Sequence, residues 1–203
     1  MAVLASGSAA VVAWAGLLKQ LIAATAVYDD KIDALAREHP DYKLVRSFPG
    51  VGPVLAPRLI AALGSQRDRY QTAHQIQCYS GIAPVIASSG KQRWIHWRWS
   101  CPRFLRQTFL EWALDSIAYS TWAREYYEQQ RAKGKGRNTI IRSLAFKWIR
   151  VLFRCWKNRT PYEETVHQRS VEARRPAPPT AVPAVELQWK KIASFCKIAA
   201  VKA

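Results

Sequence analysis

The stretch RSFPGVGPVLAPRLIAALG, Arg46 to Gly64, leaves its backbone few choices. Proline fixes φ and cannot donate a backbone hydrogen bond, while glycine opens left-handed and close-approach conformations that other residues avoid. The PGVG segment therefore reads as a tight turn between a helix ending over residues 44–48 and a second helix over 53–63. Pro53 suits a first helical turn and Gly64 a helix end. This is a helix-hairpin-helix pattern. The N–H groups at the start of the second helix have no intrahelical acceptor and point outward. Gly50, Val51 and Gly52 therefore form a candidate socket for a DNA-backbone phosphate, although a plain helical corner would produce the same letters.

The charge decides between those readings. The chain of 203 residues carries 31 Lys and Arg against 14 Asp and Glu, a net charge of +17. A surplus of that size repels itself unless a polyanion is the usual partner, and nucleic acid is the leading one, ahead of an anionic membrane. The excess is concentrated in residues 41–175, with 24 basic and nine acidic side chains. Half the residues are apolar and nine are Trp, so this is a folding chain and not a disordered basic tail.

Four cysteines, Cys78, Cys101, Cys155 and Cys196, lie far apart without a C-x-x-C pair, and four histidines are scattered. That spacing predicts a reduced, cytoplasmic chain with no metal site of its own. Residues 1–16 are apolar and uncharged. They lack a basic n-region and are diluted by Ala, Gly and Ser, so they read as a packed leader or a remnant and not as a signal peptide or membrane span. From residue 17 to Pro40, Leu18, Leu21, Thr25, Tyr28, Ile32 and Leu35 recur at alternating spacings of three and four. This is a short coiled-coil-like helix, and a helix packed in a bundle gives the same rhythm.

Thr72 can cap a short helix ending at Ser80-Gly81. Two extended runs around Ser88-Ser89-Gly90 then suggest a small β-hairpin, its second strand over 93–99. Ile95, Trp97 and Trp99 would share one face, and Trp94, His96 and Arg98 the other. Its tryptophans are expected in the core and not as a base-stacking platform. A long helix follows from Pro102 with Leu105, Phe109, Trp112, Ala113 and Ile117 as its apolar face. Arg103 and Arg106 stand in its first turns, where they oppose the helix dipole and call for an anion or for water.

A helix over 123–133 stops at KGKG, which contains Lys135, and another runs from a capping Asn138 to about Lys157. On that last helix Arg142, Lys147, Arg150, Arg154 and Lys157 occupy one sector, opposite Ile141, Leu144, Ala145, Trp148, Leu152 and Trp156. A merely solvated face would mix signs, and this helix has no acidic residue. After Arg175 a proline-rich linker leads to a basic tail over 176–203. The fold class is thus mainly α: a helix-hairpin-helix and long amphipathic helices with a small β-hairpin, preceded by the coiled-coil-like helix. The expected domain runs over 41–170, with 171–203 as linker and tail.

Five motifs in order, FPGVGPVLAPRLIAALG, YSGIAPVIASSGK, CPRFLRQTFLEWA, YYEQQRAKGK and AFKWIRVLFRCWKNRTPY, make the chain resemble the C-terminal half of insertion-sequence 110/116/902 family transposases over residues 17 to 170. The resemblance implies a recombinase of mobile DNA. Its N-terminal half would be a RuvC-like nuclease with a DEDD carboxylate set for divalent metal, such as Mg, and a coiled coil would join that half to a helical domain with a nucleophilic serine. Many members bind a structured guide RNA. The family's SG motif falls on Ser89, with Ser88 as its neighbour, and Lys91, Arg93 and Arg106 are the cations expected near it. A serine oxygen that attacks a phosphodiester conserves the bond energy for rejoining, provided something activates it.

No residues match the nuclease half, and Asp29, Asp30, Asp33 and Glu38 lack its strand context. The expected reading is a truncated or split copy, inactive alone, that binds DNA and acts beside a nuclease half supplied in trans. A guide RNA, a second copy or an intact transposase are the further partners implied. A non-catalytic nucleic-acid-binding module and a decayed remnant are the alternatives. The nucleic-acid contacts expected are Gly50, Val51, Gly52, Lys91, Arg93, Arg103, Arg106, Lys135, Arg142, Lys147, Arg150 and Arg154.

Overall fold

The computed structural model describes residues 2–173; the Pro-rich linker and basic tail assigned to 176–203 lie outside the described residues. The chain runs α1 (Ala2–Glu38), α2 (Tyr42–Arg46), α3 (Leu55–Leu63), α4 (Ala73–Tyr79), β1 (Val85–Ser89), β2 (Gln92–His96), α5 (Arg103–Tyr119), α6 (Thr121–Ala132), α7 (Arg137–Asn158) and α8 (Glu164–Glu172). It is mainly α-helical, and β1 and β2 form one antiparallel pair. Two compact units divide at Thr165, so all but the first residue of α8 belongs to the second unit.

The core of the first unit gathers around tryptophans. Trp112, Trp148 and Trp156 are fully buried, because the heptad-like apolar rows of α5 and α7 face one another. The Trp148 ring lies 5.3 Å from Trp112, 5.1 Å from Trp122 and 5.5 Å from Tyr162, and Phe48 meets Trp112 edge-on at 5.4 Å. A buried indole must place its N–H, and each of the three does. Trp112 Nε1 donates to the Pro49 carbonyl at 3.1 Å, Trp148 to Ser116 Oγ at 2.8 Å, and Trp156 to Asp41 Oδ2 at 3.2 Å. Asp41 also accepts from Arg67, whose guanidinium covers the Trp156 ring, so the acid that receives an indole proton is itself neutralised.

Helix ends fall close to their sequence signals. Glu38 ends α1 before His39-Pro40, and Ser120 Oγ caps α6 by accepting from Ala123 N–H. α3 starts at Leu55, two residues later than Pro53, and Gly64 closes it at φ 73°. At α7 the cap is Gly136, and Asn138 lies inside the helix.

The leader is the largest departure. Its described part belongs to the first half of α1, continuous with the coiled-coil-like stretch, and from Gly7 it is not packed on the rest of the unit. From Gly7 onward the helix is exposed almost to its end: Trp14 is 67% accessible and Leu35 68%. Only near Ala36 does it settle against α2 and α3. The three-four rhythm marks a stripe that nothing in the unit covers. By length and composition α1 is also long and apolar enough to cross a membrane.

Candidate nucleic-acid interface

The PGVG corner is tightened from inside. Gly50 has φ 76°, and a Cβ built on it would lie 3.0 Å from backbone atoms of Asp115 and Ser116 on α5. Its close approach is therefore to α5 and not to a ligand. Val51 is buried, its N–H donates to the Phe48 carbonyl at 3.3 Å, and its carbonyl accepts from Arg46. Gly52 alone faces open space, with nothing within 4 Å of a built Cβ. Asp115 beside the corner has a carboxyl pushed up from its ordinary range by burial and then by Glu111. Two acids so close weaken the field that an anion would meet here.

The β-hairpin projects into solvent. Gly90 and Lys91 make its two-residue turn, and Gly90 at φ 56° occupies the left-handed first position that such turns require. The register pairs Ser89 with Gln92 and Ser88 with Arg93. Alternation then places Arg93 on the Ser88 face, while Ser89 shares its face with Trp94 and His96. Both serines are exposed, and neither is hydrogen-bonded to a histidine or carboxylate among the described residues.

The tryptophans expected in the core are not there. Trp94 is 46% exposed on a strand that is exposed throughout, and Trp99 is 82% exposed beyond the end of β2 at His96, where the expected alternation has stopped. Trp97 lies at the base of the hairpin under two guanidinium groups. Arg142 Cζ stands 3.7 Å from its ring centroid and Arg106 Cζ 5.5 Å. Arg142 Nε donates to the Ile82 carbonyl at 3.1 Å, which anchors α7 to the chain entering β1. Arg106 donates to the Arg98 carbonyl and to Cys101 Sγ at 2.5 Å, and Arg98 approaches Cys78 Sγ at 3.7 Å. Burial and then Arg106 push the Arg142 guanidinium down from its ordinary range. Arg98 was not among the residues expected from sequence; its signal was the WIHWRW run, where a cation between aromatic residues can be held in place by stacking.

The rest of the expected surface lies on helices. On α7, Arg150 and Arg154 are exposed, and Lys147 stands 5.0 Å from the Tyr126 ring with its amine pushed down by burial and then by Arg150. Lys157 instead donates to the Arg67 carbonyl. Arg103 is exposed at the start of α5, and Lys135 Nζ donates to Gln130 Oε1 at 2.7 Å. By contrast Arg58 is engaged inside the fold by Glu111 at 2.5 Å. Among the described residues, no three His, Cys, Asp or Glu side chains are grouped to hold a metal ion. The residues present do not fit the divalent-metal centre that the resemblance assigns to a nuclease half.

Fold and site define a mainly helical, strongly basic domain with a projecting two-stranded ribbon, and comparison places it among transposases. Residues 42–128, from α2 into α6, match the model of the transposase IS116/IS110/IS902 family, and the chain belongs to that family. It is 30% identical over 151 residues to the IS117 mini-circle protein of Streptomyces coelicolor, which is named as a transposase; the match covers 73% of this chain and 36% of that one. A 43.6 kDa protein of insertion element IS110 from the same organism is 33% identical over 150 residues, 68% of this chain and 36% of the relative. The pilin gene-inverting protein of Moraxella bovis is 25% identical over 130 residues, 62% and 39% of the two chains. The chain thus spans about a third of the length of these relatives.

Proposed function

We propose that this chain is the DNA-contacting part of a transposase that acts in the cytoplasm, with Ser89 as the nucleophile and a metal-dependent carboxylate half supplied from outside these residues. The observation that carries the DNA reading is the α7 surface. Arg150 and Arg154 stand exposed beside Lys147 on a helix with no acidic residue, and none of the three is in an ion pair among the described residues. Lys91 and Arg93 on the ribbon, Arg103, and the backbone at Gly52 extend the contact. Gly50 and Val51 contribute by shaping the corner.

In the cleavage step, Ser89 Oγ attacks phosphorus and forms a phosphoserine link to one strand end, the P–O bond of the strand breaks, and the freed oxygen takes up a proton to become the hydroxyl of the other end. The serine proton needs an acceptor. Among the described residues no histidine or carboxylate is hydrogen-bonded to Ser89, and His96, on the same face, stands at the far end of β2, which supports a requirement for the second half. The same observation favours a second reading, a nucleic-acid-binding module without catalysis. A guide RNA and a second or intact copy of the protein are proposed partners on family grounds.

The test is binding of the purified chain to duplex DNA and to structured RNA over a salt series. Tight binding should fall steeply with salt. The Arg150→Ala/Arg154→Ala double variant should lower the log–log salt slope by about 2, since each phosphate contact contributes about 0.9. Gly52→Val should weaken binding if the corner meets backbone phosphate. A covalent DNA adduct that forms only with the nuclease half present, and is lost in Ser89→Ala, supports the catalytic reading; binding without any adduct supports the module. Folded protein that binds neither nucleic acid overturns both and leaves a remnant.

A further inference from the structure

We propose that Arg106 and Arg142, which share the Trp97 ring where the β-hairpin joins α5 and α7, form with the adjoining Arg98, whose carbonyl accepts from Arg106, a receptor for a single phosphate group. Three observations converge there. Each of the three guanidiniums has a nitrogen shielded from solvent and without a hydrogen-bond partner: Nε of Arg98, Nε of Arg106 and one terminal nitrogen of Arg142. A guanidinium N–H left unpaired out of water is costly, and three in one place are not explained by folding alone. No carboxylate neutralises them, since the ion pairs among the described residues involve Arg37, Arg58 and Arg67.

The third observation is that the cluster is held by neutral groups that fix its geometry and leave its charge intact. The Ile82 and Arg98 carbonyls accept from Arg142 and Arg106, Cys78 and Cys101 supply sulfur acceptors, and the Trp97 face holds the Arg142 plane at 3.7 Å. The packing around Arg106 is also close. A Cβ on Gly81 would lie 2.4 Å from Cys101 Sγ and 3.0 Å from Arg106 Nε, so a larger residue would push into the cluster. Of the three arginines, Arg98 lines an open groove of about 750 Å³ with Cys78, Cys101 and Trp99, from which a ligand would approach. A tetrahedral dianion or a phosphodiester matches this array, because guanidinium forks bind phosphate oxygens in pairs and the mutual repulsion of the cations is relieved only by an anion.

The phosphate is a nucleic-acid phosphodiester if the DNA reading above holds; the anion site itself does not rest on that reading. The test follows the arginine Nε–H signals of the ¹⁵N-labelled chain by NMR, assigned with Arg98→Lys, Arg106→Lys and Arg142→Lys variants. Inorganic phosphate and a short DNA duplex are titrated separately at constant ionic strength. The Arg98 and Arg106 signals should shift saturably in millimolar phosphate and at much lower duplex concentration. Arg98→Gln should weaken both by about tenfold, as expected for one charge-assisted hydrogen bond. Arg98 is the informative position because the one observed partner of its guanidinium is a thiol at 3.7 Å, so its replacement should leave the thermal melt unchanged or raise it. Arg142→Gln serves as a second variant.

Saturable phosphate shifts without any DNA binding support the receptor and overturn the DNA reading. DNA binding that moves the Arg150 and Arg154 signals but leaves these three still, together with no response to phosphate, overturns the receptor and keeps the DNA reading.

Discussion

At the residue scale, polar side chains here serve the core before they serve a ligand. The Trp148 indole is packed against the rings of Phe48, Trp112, Trp122 and Tyr162 and donates to Ser116 Oγ. Trp148→Ala should cost about 3–5 kcal/mol, the range for emptying a large aromatic site, and Trp148→Phe about 1–3 kcal/mol, mainly by leaving Ser116 without its donor. Urea unfolding would measure both. Glu111 gives a pH signature. The Gln107 amide, and then Arg58, hold its carboxyl below the ordinary range against a burial effect of opposite sign. A depressed carboxyl stabilises the fold above its unfolded value, near 4.3, and that contribution disappears as pH falls through the folded value. Glu111→Gln should therefore lower the urea midpoint at pH 7 and make a smaller difference at pH 3.

At the scale of elements, the corner between α2 and α3 separates two glycines that look alike in the sequence. Gly50 is left-handed and touches the α5 backbone, whereas Gly52 has neither constraint. Gly50→Ala should cost about 1–2 kcal/mol for the left-handed backbone alone and more for the displaced helix. Gly52→Ala should stay within about 1 kcal/mol of the parent or stabilise it. Thermal melts of the two variants would show whether the corner is built this way; equal losses would contradict it. The hairpin teaches the complementary lesson. A hairpin was legible around Ser88-Ser89-Gly90, but both serines lie in β1 and the turn falls on Gly90-Lys91; the partner faces depended on a register that only the observed pairing fixed, and that register separates Arg93 from Ser89.

For the whole molecule, the stability of the first unit resides in α2 to α7, and α1 contributes little beyond its last turns. Deleting residues 2–28 should leave the melting temperature within about 2 °C, since an exposed helix adds little buried surface. A clear fall would show that the exposed stripe of α1 is covered in solution. The charge belongs to this scale as well. A net +17 raises nucleic-acid affinity in a salt-dependent way whichever cations make contact, which is why the salt slope and not the bare affinity is the informative number.

The sequence by itself determined the helical class, most element ends and the opposed core and basic faces of α7. These depend on local signals: a 3.6-residue period, caps, and the backbone limits of proline and glycine. Placement of the hairpin tryptophans was not local. Trp97 is as apolar as Trp112, and nothing in its neighbours along the chain reveals that it ends beneath Arg106 and Arg142 and not in the core. Arg98, Arg106 and Arg142 come from a hairpin base and two helices, and Gly50 meets Asp115 across more than sixty positions. Burial and the proximity of like charges are properties of packed surfaces that meet only after folding, so the tertiary structure alone decided which cations stand free on the surface and which converge on one site.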